Sequence, residues 1–86
     1  MRIGARVRLR SVLDTATRPE GVEGGEDYWR LIGCPGTVID PGEGMPGFRG
    51  SPRVLVQFDR DPAVMGLHCH NGPPRALWIR MADLEV

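Results

Sequence analysis

The 86-residue chain has no lysine, only five aromatic residues and two cysteines, and its 11 arginines are balanced by 11 acidic residues to a formal net charge of zero. Neutrality excludes a whole-protein field of the kind that draws proteins onto nucleic acid or anionic lipid, so any such binding must come from a local patch. The length excludes a two-lobed enzyme with a cleft between domains, because a chain this short supports one modest core; residues 1–86 are read as a single domain. No stretch approaches the ~20 consecutive apolar residues of a membrane span. The start, Met1-Arg2-Ile3-Gly4-Ala5-Arg6, carries no apolar signal core, and the expected location is cytoplasmic. Two cysteines, Cys34 and Cys69, are too few for a disulfide framework and are expected as reduced thiols.

Long helices also lack room. Gly 12 and Pro 8 are spread from Gly4 to Pro74. Each Gly costs a helix interior roughly 1 kcal/mol and each Pro roughly 3 relative to Ala, which favours short strands and turns. The hydrophobic share of 41% argues against disorder.

What is present reads as strands. From Ile3 to Leu9 apolar residues at odd positions alternate with Arg6 and Arg8, the period of a half-buried strand, and Arg10 continues the charged face. Thr37-Val38-Ile39-Asp40 is a short strand ended at Pro41-Gly42. Arg53 to Asp59 is the strongest, with Val54, Val56 and Phe58 on one face as the expected centre of the core. Ala76 to Ile79 is a fourth strand, Met81 to Leu84 a single tight 3₁₀-like turn, and Glu85-Val86 a fifth short strand. Asp14 to Arg30 is a long acidic loop, and Gly42 to Pro52 a flexible hairpin tip. The expected fold class is all-β, a small five-stranded barrel with a long first loop.

Gly4-x-Arg6-Val7-Arg8-Leu9, then Gly33-x-x-Gly36-Thr37-Val38-Ile39, then Val54-x-Val56-x-Phe58-Asp59 and a closing Asp83-Leu84-Glu85-Val86 resemble the SH3-like barrels over nearly the whole chain. Within that group the first half is similar to KOW-type modules of ribosomal and transcription proteins. The hairpin and following strand also look like mind-bomb-type repeats and the small accessory barrels of electron-transfer enzymes and nitrile hydratase. The A-L-Y-D-Y run and Trp pair of peptide-binding SH3 domains are not in place, which speaks against recognition of Pro-rich peptides in an aromatic groove. The KOW resemblance implies nucleic-acid binding.

Three groups of residues carry candidate chemistry. Tyr28 and Trp29 end the acidic loop beside Glu26 and Asp27; exposed, this pair would anchor a basic partner within an acidic rim, together with residues of the His68 to Pro74 loop. The alternative is that Trp29, or Trp78 in the late strand, caps an open barrel end, and for Trp78 capping is the preferred reading. Arg6, Arg8 and Arg10, with Arg53 nearby, form a basic stripe able to meet phosphates, unless the acidic loop folds over and neutralises it. His68, Cys69 and His70, with Cys34, offer zinc- or copper-type ligands, although an extended segment turns Cys69 away from the two imidazoles; the bland alternative is a tight turn with Cys69 as a small buried side chain. No nucleophile triad, phosphate loop or paired carboxylates on a regular element occur, so an enzyme is not expected and no cofactor is implied. The leading expectation is a non-catalytic module that binds a protein partner through its acidic, aromatic loop. The oligomeric state is left open.

Overall fold

The computed structural model describes residues 2–44, 46–47, 49–69 and 73–86. Five strands, β1 (Arg6–Leu9), β2 (Pro35–Asp40), β3 (Arg53–Phe58), β4 (Ala76–Arg80) and β5 (Leu84–Glu85), form one antiparallel sheet in the order β4-β3-β2-β1-β5. The described residues contain no α-helix, only 3₁₀ turns, and no helix among them is long and apolar enough to cross a membrane. The all-β expectation holds.

The sheet has to curl. Laid flat, its outermost strands β4 and β5 would lie about 19 Å apart, four spacings of roughly 4.8 Å. They are joined only by the 3₁₀ turn Met81–Asp83, which advances about 2 Å per residue and so spans less than half that distance. The result is an open barrel whose two edge strands are not hydrogen-bonded to each other.

Inside the curl lie Val54, Val56 and Phe58 of β3, all but fully buried, with Val7 and Leu9 of β1, Val38 of β2, Leu77 of β4 and Leu84 of β5. Burying each such side chain contributes about 1.5–3 kcal/mol. Leu31 and Leu67, contributed by the long loops, close the cluster.

Several expectations need correction. The first strand begins at Arg6, not Ile3: Gly4 takes a φ of +90°, Ala5 donates to the Arg2 carbonyl at 3.1 Å, and this turn leaves Ile3 exposed. Pro35 opens β2 two residues earlier than expected, in the first-residue position where a missing N–H costs no ladder bond. The acidic loop is built rather than structureless, with 3₁₀ turns at Gly24–Glu26 and Tyr28–Leu31 and a bridge between Val12 and Thr15. Trp78 does not cap the core. It stands opposite Leu55 on the outer face of the sheet, because β4 alternates and Leu77 takes the inward position.

Candidate functional site

Around the first loop, the carboxylate of Asp83 is the organising centre. This residue, 3% exposed, accepts the Ser11 hydroxyl and the backbone N–H groups of Leu13 and Asp14 at 3.1 and 3.0 Å. Burial pushes its carboxyl up, but those donors and the nearby Arg80 guanidinium together outweigh burial and hold it below the ordinary carboxylate value. Asp14 returns its own carboxylate to Arg80 Nη2, both oxygens at 3.1 Å. Arg80 is 5% exposed, lies 3.7 Å from Asp83 through Nε, and keeps Nε and Nη1 buried without a hydrogen-bond partner among the described residues. The Val12 to Thr15 turn that carries Asp14 has Leu13 and Asp14 at φ of +52° and +64°.

Tyr28 and Trp29 are half-buried, and both spend their polar atoms inside the molecule. The Tyr28 hydroxyl donates to the His68 carbonyl at 2.7 Å, and Trp29 Nε1 donates to the Thr15 carbonyl at 3.0 Å. Burial first, then the charges of Glu26 and Cys69, raise the Tyr28 hydroxyl above its usual value. His68 in turn donates its backbone N–H to the Gly25 carbonyl at 2.8 Å. The acidic loop and His68, at the start of the His68 to Pro74 loop, are therefore neighbours. Asp27 is not part of an exposed rim: it is buried and paired with Arg18 at 3.3 Å. Glu26 is exposed. With Glu23, a residue the sequence reading counted in the loop but did not single out, it edges an open hollow of about 530 Å³ floored by Val12, Leu13, Val22, Tyr28 and Trp29.

The arginine stripe faces outward, since β1 buries Val7 and Leu9 and exposes Arg6 and Arg8. It is partly spent, and not by the acidic loop. Arg6 makes a two-pronged contact to Asp59 at the end of β3, at 2.9 and 2.6 Å, and also donates to Thr37 Oγ1 at 2.8 Å. That hydrogen-bonded pair raises Arg6 and lowers the Asp59 carboxyl from their ordinary values. Arg10 donates to the Ala82 carbonyl at 3.1 and 2.8 Å, and Arg53 to the Pro46 carbonyl at 3.3 and 3.2 Å. Arg8, opposite Glu85, has no side-chain partner among the described residues. The carboxylates of the loop find other cations: Asp14 takes Arg80 and Asp27 takes Arg18.

Among the described residues no three His, Cys, Asp or Glu side chains gather in a way that could hold a metal ion. Cys69 donates its thiol to the Ala76 carbonyl at 3.1 Å, Cys34 packs at the edge of the core, and His70 lies outside the described residues.

Comparison with known families finds no family model that matches this chain, and comparisons with curated proteins and with solved structures find no match either.

Proposed function

We propose that the protein is a non-catalytic interaction module, an SH3-like barrel that docks a protein partner on the face formed by its first loop. The SH3-like assignment draws support from the strand order and from the short 3₁₀ link between the two edge strands. One observation carries the docking reading. Glu23 and Glu26 stand at the border of a hollow whose floor is apolar and aromatic. A partner surface offering an apolar side chain beside Lys or Arg would bury the first against Val22, Tyr28 and Trp29 and set the second against the carboxylates. The anchoring hydrogen bonds of Tyr28 and Trp29 keep this floor rigid, so little ordering is required on binding.

The KOW-like alternative is weaker, because Arg6, Arg10 and Arg53 already donate to acceptors of the same chain and leave Arg8 as the least committed cation of the stripe. One comparison tests both readings. Affinity capture from lysate, with and without nuclease, is run on the wild type and on Glu23→Lys/Glu26→Lys, two exposed positions whose reversal leaves the core untouched. The docking reading expects a partner that resists nuclease and is lost in the variant. Capture that survives charge reversal overturns it, and capture lost to nuclease selects the Arg8 face instead.

A further inference from the structure

A second concavity, of about 280 Å³, lies on the other side of Tyr28, and its lining has an unusual feature: it includes Leu77, Trp78, Ile79 and Arg80, four residues in a row on β4. Successive side chains of a strand point to opposite faces of the sheet. A cavity lying over one face would touch every second residue, so one that touches four in a row runs along the strand's edge.

That edge is open. β4 is the first strand of the sheet and, among the described residues, pairs only with β3. Phe58 donates its N–H to the Arg75 carbonyl, and Met81 donates to the Pro52 carbonyl, which fixes the phase of the ladder. Residues 75, 77, 79 and 81 turn their backbone groups to β3, and residues 76, 78 and 80 turn theirs away. The Ala76 carbonyl accepts the Cys69 thiol, and the Arg80 carbonyl, at the N-cap, accepts the first bond of the following 3₁₀ turn. The N–H and C=O of Trp78 and the N–H of Arg80 are left without partners among the described residues.

The geometry points to this groove as a strand-addition site for one extended segment of a partner polypeptide in which apolar and acidic residues alternate. Backbone pairing comes from Trp78 and Arg80. On the inward side the added strand meets Leu77, Ile79 and Tyr28, which call for apolar side chains. On the outward side it meets Trp78 and Arg53, and a carboxylate there would find a guanidinium whose only bonds among the described residues are to the Pro46 carbonyl. The buried side-chain atoms of the wall that lack a hydrogen-bond partner among the described residues, Arg80 Nε and Nη1, are both donors, while Asp83 already accepts from Ser11, Leu13 and Asp14. A second copy is the poorer occupant. Ser11 to Leu13 and Tyr28 stand across the groove, and two copies joined edge to edge would bring both such walls into the space of the opposing strand. The site shares Val12, Leu13 and Tyr28 with the acidic hollow but neither glutamate, and the charge it calls for in a ligand is opposite.

The test follows backbone amides by nuclear magnetic resonance during titration with the blocked pentapeptide Val-Glu-Val-Glu-Val at millimolar concentration. In the free protein the amides of Trp78 and Arg80 exchange faster than those of Leu77 and Ile79. At nine-tenths occupancy their exchange slows about tenfold, because only the unbound tenth remains open. Methylating the peptide nitrogens that face β4 abolishes this protection, and Arg53→Glu weakens it. The Lys counterpart, Val-Lys-Val-Lys-Val, leaves these amides unchanged and reports instead on Glu23 and Glu26, so the two sites succeed or fail separately. The strand-addition site is overturned if the two amides are already slow in the free protein, if the acidic peptide leaves them unprotected, if the Lys peptide protects them equally, or if they become protected by self-association as protein concentration rises.

Discussion

The carboxylate of Asp83 accepts the backbone N–H of Asp14 at 3.0 Å across 69 residues of chain. Through it the turn after β4 dictates where the first loop begins, and both concave surfaces lie against that loop. Removing the carboxylate orphans two backbone donors and a hydroxyl and leaves the buried Arg80 with Asp14 as its one remaining anion among the described residues. Asp83→Ala is expected to destabilise the fold by about 3 kcal/mol, a large part of the stability of so small a domain. Chemical denaturation measures it, and a loss within the scatter of surface substitutions would show that the network is dispensable.

The same residue sets an acid limit. Its carboxyl lies below the ordinary value of 3.8 in the folded chain, so its stabilisation is complete above that ordinary value and is lost as pH falls through the lower folded one, the unfolded chain taking up its proton first. Denaturation midpoints are expected to fall below pH ~4, and Asp83→Asn, which has no proton to gain, should show a shallower fall. Identical acid slopes in the two proteins would assign the limit elsewhere.

Tyr28 is the only tyrosine of the chain, so its titration is read directly from absorbance at 295 nm. Burial and neighbouring negative charge raise the hydroxyl above its usual value of 10.0, and the expected midpoint lies above it. A raised value means that the contribution of Tyr28 is fully present below pH 10 and lost as pH rises through the folded value. Tyr28→Phe removes the bond to the His68 carbonyl and is expected to cost about 1 kcal/mol. A midpoint at or below the free value would mean that the hydroxyl is solvated and the two loops are not joined there.

Much of this architecture is written in the sequence because its signals are local. Val54, Val56 and Phe58 recur at every second position with Arg53 and Gln57 between them, which marks the inner face of β3 even though Leu55 is also buried, and Pro41-Gly42 marks where β2 stops. The pairings of the candidate site are different in kind. Asp59 reaches Arg6 across 53 residues and Arg80 reaches Asp14 across 66. Nothing in the composition of the acidic loop tells that its carboxylates turn to Arg18 and Arg80 and leave the stripe to Asp59. Leu13 misleads actively, since a γ-branched side chain is a poor choice for a left-handed turn and gives no turn signal. Trp78 is legible as a strand residue, but which face it takes depends on the β3 register.

Gly42 takes φ of +70° after β2, and a Cβ there would sit 2.1 Å from the Arg53 carbonyl oxygen and 3.3 Å from the ring of Trp78. Backbone at that distance cannot step aside as a side chain could. Gly42→Ala is expected to cost at least about 2 kcal/mol, the left-handed penalty and the clash together, and to shift the fluorescence of Trp78 against a Trp29→Phe background. A neutral substitution would mean that the β2–β3 connection relaxes freely.

Leu13 and Asp14 hold consecutive positive φ angles in a two-residue connection between Val12 and Thr15, the geometry that Asn and Gly favour and that costs an ordinary side chain about 1 kcal/mol or more. Yet Leu13 lines both the acidic hollow and the β4 groove, so its apolar side chain is placed there against the preference of its own backbone. Strain of this kind is retained where the side chain has work to do. Leu13→Asn is therefore expected to raise stability by about 0.5–1 kcal/mol while weakening protection of Trp78 and Arg80 by the acidic pentapeptide. Thermal melting reads the first effect and amide exchange the second. A variant that is stabilised with peptide binding unchanged would remove Leu13 from the docking wall, and one that is destabilised would show that its packing outweighs the cost of the turn.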